Sequence, residues 1–152
     1  MIPKEKGAAG LEEHRIESEL EVRCYLQDLR YALDHGAQLI FQENRRVDDQ
    51  RPPQFTNRYT VAALFPDEAP ADALRRELKK LRPCHYLRTV RDTTFPKRSE
   101  MREFGMVYEG QGDVYIKLRV ELLAGAGGHT TFVMSFHFAE RPLAQETFPY
   151  AG

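Results

Sequence analysis

The chain has no tryptophan, only two cysteines in 152 residues, and a formal net charge of -1. Each of these limits what it can be. Cys24 and Cys84 form neither a C-x-x-C pair nor a Cys/His spacing that holds zinc, so no metal is expected. They read as two buried, reduced thiols rather than a bridge. No apolar run approaches the ~20 residues that cross a bilayer. The opening stretch "MIPKEKGAAGLEEHR" holds no apolar segment of the secretory kind, so the expected location is cytoplasmic, with no membrane partner. The near-zero charge argues against a chain that coats nucleic acid over its whole surface. No phosphate-binding loop, G-x-S-x-G elbow or Cys/His pair competes for an active site, and no cofactor is expected.

What is present is an ordinary globular composition, 41% hydrophobic and 30% charged, in a length that suits one domain. Residues 1–14 read as a flexible tail and 15–150 as a single domain. Ser18 and Glu21 form a capping box, after which Val22, Leu26, Leu29 and Leu33 recur at helical spacing up to Gly36. This predicts a first helix over about 18–35. "AQLIFQENR" reads as a strand, "VDDQRPPQ" as a loop, and "NRYTVAALF" as a second strand because of its β-forming residues. "PDEAPADALRRELKKL" reads as a second helix with Leu74, Leu78 and Leu81 as its apolar stripe. "CHYLRTVRD", "MREFGMVYE", "DVYIKLRVELL" and "HTTFVMSFHFA" read as four strands, the last two joined at "AGAGG" as a hairpin. The expectation is an α+β fold, a mostly antiparallel sheet with two main helices packed on one face and the other face open.

Charge is not spread evenly. Between Arg75 and Arg102 lie Arg75, Arg76, Lys79, Lys80, Arg88, Arg91, Lys97, Arg98 and Arg102, a basic set suited to an anionic partner such as RNA. A solvated basic helix face is the plainer reading of any one of them.

Strand side chains alternate between faces. Val114, Ile116, Leu118, Val120 and Leu122 therefore share a core face, as do Phe132, Met134, Phe136 and Phe138. Tyr115, Lys117 and Arg119 point the other way, with Ser135 and His137. A turn centred near Gly127 would set Lys117 opposite His137 and Arg119 opposite Ser135, to within about two residues. Phe104 and Met106 are expected inward. A Tyr, Lys, Arg and His face can cleave RNA without a metal. It supplies a base for the 2′-hydroxyl, cations for the phosphorane and an acid for the leaving 5′-oxygen. Alternating charges on the wet face of an antiparallel sheet are also common without any such role.

Three blocks carry a family resemblance: Glu103-Phe104-Gly105; Asp113-Val114-Tyr115-Ile116-Lys117-Leu118; and Ser135-Phe136-His137 with Ala139-Glu140, Pro142-Leu143 and Phe148-Pro149-Tyr150. Over residues 74–150 the chain resembles MqsR-like toxins of type II toxin–antitoxin systems, within the wider RelE-like fold. The resemblance implies a metal-independent endoribonuclease (an mRNA interferase) acting on RNA or ribosome-bound mRNA. It also implies an antitoxin partner, of helix-turn-helix type, that silences it. In such proteins the catalytic groups are drawn from Lys, Tyr, Arg, Gln and His. Tyr115 and Lys117 match the family's "YIKL", Tyr108 lies at an upstream tyrosine, and Arg88 stands near a basic residue of a "YK" pair. Together with the face above this names Lys117, His137, Tyr115, Arg119 and Tyr108 as candidate catalytic residues. Where better-known members carry Trp-Gln, this chain has Phe104-Gly105, which leaves the glutamine's place unfilled. The alternative is a non-catalytic module that docks RNA or an acidic protein on its open sheet face and basic helix. A third reading, a triphosphate tunnel built on Glu17, Glu19 and Glu21, is discounted because the helical spacing that follows scatters those carboxylates.

Overall fold

The computed structural model describes residues 12–36, 38–45, 51–122 and 128–152. The first eleven residues, most of "AGAGG" and part of "VDDQRPPQ" lie outside the described residues. A six-stranded sheet runs β1-β3-β4-β5-β6-β2. Its strands are β1 (Glu12–Arg15), β2 (Gln38–Phe41), β3 (Tyr86–Asp92), β4 (Met101–Tyr108), β5 (Gly112–Glu121) and β6 (Thr130–Phe138). Every pairing is antiparallel except β2 with β6. Three helices, α1 (Glu19–His35), α2 (Asn57–Leu64) and α3 (Pro70–Leu78), complete an α+β domain. Among the described residues no helix is long and apolar enough to cross a membrane.

α1 follows its sequence signals. Ser18 Oγ accepts from Glu21 N–H while the Glu21 carboxylate accepts from Ser18 N–H, so two orphan donors of the first turn are satisfied. Val22, Leu26, Leu29 and Leu33 are buried against Phe104, Ile116, Leu118 and Phe136 of the sheet. Burial of each such side chain contributes about 1.5–3 kcal/mol. α3 is shorter than expected, starting at Pro70, whose missing N–H costs nothing at a helix's first position.

Four expectations are corrected. "NRYTVAALF" is the helix α2, not a strand. Thr56 caps it by accepting from Tyr59 N–H, and Asn57, Thr60, Val61 and Leu64 then fall on one face at i, i+3, i+4 and i+7. That face serves β6. The short β2 pairs β6 only as far as Val133, leaving the rest of the strand edge bare. Asn57 donates to Met134 O and accepts from Phe136 N–H, and Thr60 Oγ1 accepts from Phe138 N–H. The helix closes an edge that would otherwise expose ladder donors. Second, residues Glu12 to His14, placed in the tail, belong to β1 and pair with β3. Third, both cysteines are free but exposed.

The fourth correction concerns β6. Lys117 pairs with Ser135, yet Leu118 pairs with Val133, so Met134 is an extra residue that bulges and reverses the strand's alternation. Val133 and Phe136 are fully buried on the helix side, while Phe132 turns to the other side beneath the Arg119 guanidinium, 4.6 Å from its ring centre. Phe132 and Met134 thus leave the predicted aromatic core stripe. Beyond the bulge Tyr115 faces His137, a two-residue shift from the expected pairing.

At the β1–α1 junction Glu17 is buried and bound by Arg102 (2.8 and 3.0 Å) and by the Thr89 hydroxyl (2.6 Å). Burial pushes its carboxyl up, but the Arg102 and Thr89 hydrogen bonds and the nearby Arg15 outweigh this and hold it below the usual 4.5. A depressed carboxylate contributes stability that is complete above its unfolded value and lost as pH falls through the folded one. Thermal melts between about pH 7 and pH 3 are therefore expected to stay level down to about 4.5 and then drop. Glu17→Gln should make that acid slope shallower; an unchanged slope would remove Glu17 from the account.

Candidate functional site

The face opposite the helices carries Tyr115, Lys117 and Arg119 from β5, Ser135 and His137 from β6, and Glu103 from β4. It is not bare. After β6 the chain turns back over it, held by Ala139 N–H donating to Asp113 O and Leu143 N–H donating to Asp113 Oδ2, both 2.8 Å. Leu143 and Phe148 then lie on Gly105. A side chain's Cβ there would sit 2.8 Å from Leu143 Cδ1 and 3.1 Å from Phe148 Cζ. Gly105 thus makes room for this cover. Tyr150 ends the segment by stacking on Tyr86 with ring centres 6.2 Å apart.

Between this segment and the residue 51 region lies a cleft of about 220 Å³ lined by Arg51, Leu87, Arg88, Tyr115, His137, Ala139, Glu140, Arg141, Leu143 and Glu146. A larger hollow of about 620 Å³, lined in part by Cys84, His85 and Val107, shares Leu143 and Glu146 with it. It lacks the convergence of base and cations, so the smaller cleft is the stronger candidate.

His137 sits in the cleft wall at 6% exposure. Its Nδ1 is 2.9 Å from Phe138 O, which can only accept, so Nδ1 carries the proton. Nε2 therefore accepts from Arg51 Nη1 at 3.2 Å. Burial lowers the proton affinity of the ring, the Phe138 carbonyl opposes this, and Arg51 and Arg45 add to the lowering. The imidazole is thus neutral at neutral pH, with its lone pair toward the cleft. The Tyr115 ring lies 5.3 Å from the imidazole. Burial, followed by the charge of Glu103 and a hydrogen bond to it, drives the Tyr115 hydroxyl far above its ordinary value, so it keeps its proton.

The cations come from three segments. Arg88 binds Glu103, which is only 4% exposed, and reaches Glu146 at 3.2 Å. Arg141 binds Glu146 at 2.8 Å. Arg51 Nε lies 2.9 Å from Glu140 Oε2 without hydrogen-bond alignment. Three guanidinium groups thus converge on two carboxylates of the covering segment, Glu140 and Glu146.

The other expected residues disperse. Lys117 shares the face but turns to Glu12 (3.0 Å) and Glu103 (4.0 Å), outside the cleft. Arg119 lies further along, over Phe132 and 3.8 Å from Glu121. Tyr108 is on the opposite face, donating to Glu77 at 2.7 Å and packed on Phe65 and Phe136. Arg102 is there too, on Glu17 and over the Tyr25 ring at 4.3 Å. Both follow from β4 alternation, since Phe104 and Met106 point inward and carry Arg102 and Tyr108 with them. Arg75 donates to Leu33 O, Arg76 binds Glu68 and Glu77, Lys79 binds Asp34 and Lys80 binds Glu77, all on α3 or in the turn just after it. Arg91 pairs with Glu13, and Arg98 stacks on Phe95 beside Asp92. Lys97 is exposed in the β3–β4 loop. Of the expected RNA-binding set only Arg88 reaches the cleft. Arg51 and Arg141 were missed because they stand in proline-interrupted segments where no periodicity marks a face; their signal was the arginine beside proline in "QRPP" and "ERPL".

Among the described residues no group of three His, Cys, Asp or Glu side chains is arranged to hold a metal ion. Comparison of the chain with protein-family models, with curated proteins and with solved structures gives no match.

Proposed function

We propose that the cleft is the active site of a metal-independent endoribonuclease of toxin type, silenced in the cell by a partner protein. The observation that carries this reading is the neutral His137, its lone pair facing a cleft that also holds Tyr115, Arg51, Arg88 and Arg141. A 2′-hydroxyl replaces Arg51 at Nε2 and gives up its proton to His137. The 2′-oxygen bonds to phosphorus while the bond to the 5′-oxygen breaks, leaving a 2′,3′-cyclic phosphate. Arg88, Arg141 and the displaced Arg51 take up the charge on the phosphoryl oxygens. The Tyr115 hydroxyl, a very weak acid here, protonates an equally basic leaving alkoxide.

RNA must first displace Glu140 and Glu146 from the arginines. An acidic antitoxin covering the cleft would keep it from doing so. The pairing of every cleft arginine with a carboxylate also suits the non-catalytic reading, in which the face only docks RNA or an acidic protein.

The test is incubation of the purified chain with single-stranded RNA in excess EDTA. Fragments ending in 2′,3′-cyclic phosphate are expected. Intact RNA bound in a salt-sensitive complex would favour the binding module instead, and cleavage that EDTA abolishes would overturn the metal-independent reaction.

A further inference from the structure

Arg45 follows β2 and has no part in the reaction above. Its Nη1 lies 3.4 Å from Ser135 Oγ, and among the described residues no carboxylate comes within ion-pair distance of it. It is half-buried next to Arg51, and burial, followed by the Arg51 charge, lowers its proton affinity. Two more donors on the same face are unsatisfied. Arg51 Nε and Arg119 Nε are buried without a hydrogen bond, two of only three such side-chain atoms among the described residues. Elsewhere this chain neutralises its buried charges with care, as at Glu17, Glu77 and Glu103. A guanidinium withdrawn from water beside another one is unfavourable unless an anion joins them.

We propose that Arg45 and Ser135 bind the phosphate adjacent to the scissile one, so that the site takes a single-stranded polynucleotide with at least two successive phosphates and not a mononucleotide. This rests on the nuclease reading of the cleft. Ser135 and His137 lie on the same face of β6, two residues and so about 6.7 Å apart. That is the scale of the step between neighbouring phosphates in an extended strand. Arg45 supplies a planar fork for a phosphate at the first position, Ser135 a hydroxyl donor, and His137 with Arg88 acts at the second. Arg45 thereby gains an anionic partner that the described residues do not provide, and Arg51 Nε, unaligned with Glu140, gains a second acceptor.

The experiment compares wild type with Arg45→Gln and Arg45→Lys, reading fluorescence anisotropy of two uncleavable probes. One is a short 2′-O-methyl oligoribonucleotide; the other is a 2′-O-methyl dinucleoside monophosphate, which has a single phosphate. Arg45→Gln is expected to weaken the oligonucleotide about tenfold and to reduce the slope of log K against log salt by about one, with Arg45→Lys intermediate. Dinucleotide binding should not change. The melting temperature should hold or rise, because no ion pair among the described residues is lost. The subsite is overturned if the oligonucleotide's affinity and salt slope are unchanged, if both probes weaken equally, or if wild type binds neither. The anisotropy assay does not depend on cleavage, so set beside the cleavage assay above it lets the two proposals fail separately. Arg45-dependent binding by a chain that leaves ordinary RNA intact defeats the nuclease and keeps the subsite. His137-dependent cleavage with unaltered binding by Arg45→Gln defeats the subsite alone.

Discussion

His137→Ala is expected to slow RNA cleavage by about 10²–10⁴-fold while changing RNA affinity by less than about threefold. The split follows from geometry. The imidazole presents one lone pair to the cleft and carries no charge at neutral pH, so it contributes little to holding a polyanion. Its lone pair matters only as the 2′-proton leaves. Lys117→Ala is the informative companion. Its ammonium is engaged by Glu12 and lies outside the cleft, so its loss should cost less than about threefold in rate. The pH profile gives a second readout. A general base works above its own pKa, and burial lowers that of His137 from 6.5. The acid limb of kcat/KM is therefore expected to have its midpoint below 6.5. Removal of His137 should abolish the limb along with the rate. A His137→Ala enzyme that cuts as fast as wild type, or an acid limb above 6.5, would remove the histidine from the reaction.

Where the sequence pattern was regular, it read through to the structure. The capping box and four apolar residues of α1, and the alternation of β5, depend on local chemistry repeated several times over. They fixed which face Tyr115 and Lys117 occupy. Where a single residue decides the geometry, the pattern could not show it. Met134 alone reverses β6, taking Phe132 from the core and shifting Tyr115 into register with His137. The β-forming residues Tyr59, Thr60 and Val61 favoured a strand, but the Thr56 cap and the bare edge of β6 made a helix the better partner. The site was legible in the same uneven way. Tyr115 and His137 stand on stretches that alternate regularly and were read there, and Arg88 was named within the basic run from Arg75 to Arg102. Arg45, Arg51 and Arg141 reach the face from irregular segments, whose course depends on tertiary contacts such as those of Asp113 with the chain after β6.

Gly105 connects the fold to the chemistry. On β4 it faces the cleft side, between Glu103 and Val107, and its missing side chain admits Leu143 and Phe148. The segment that carries them also brings Glu140, Arg141 and Glu146 to the arginines. The room left at Gly105 is thus taken by a segment that supplies both a cation and two competing carboxylates. At this point of the sheet the polar groups come from the covering segment and not from β4.

Arg88 has two roles that a single substitution would confuse. It neutralises the buried Glu103 and, in the proposed reaction, stabilises the phosphorane. Arg88→Ala is expected to lower stability by about 2 kcal/mol, less than for a fully buried pair because Arg88 is partly exposed and Lys117 remains near Glu103. It should also slow cleavage by about 10²–10³-fold, the usual cost of removing one donor from developing charge. Adding Glu103→Gln separates the two. The amide no longer needs a counter-cation, so the double variant should recover to within about 1 kcal/mol of wild type by chemical denaturation. Cleavage should stay low, because nothing in the double variant restores the guanidinium. If the double variant regains both stability and rate, Arg88 serves only to neutralise Glu103, and the phosphate's charge is carried by Arg51 and Arg141.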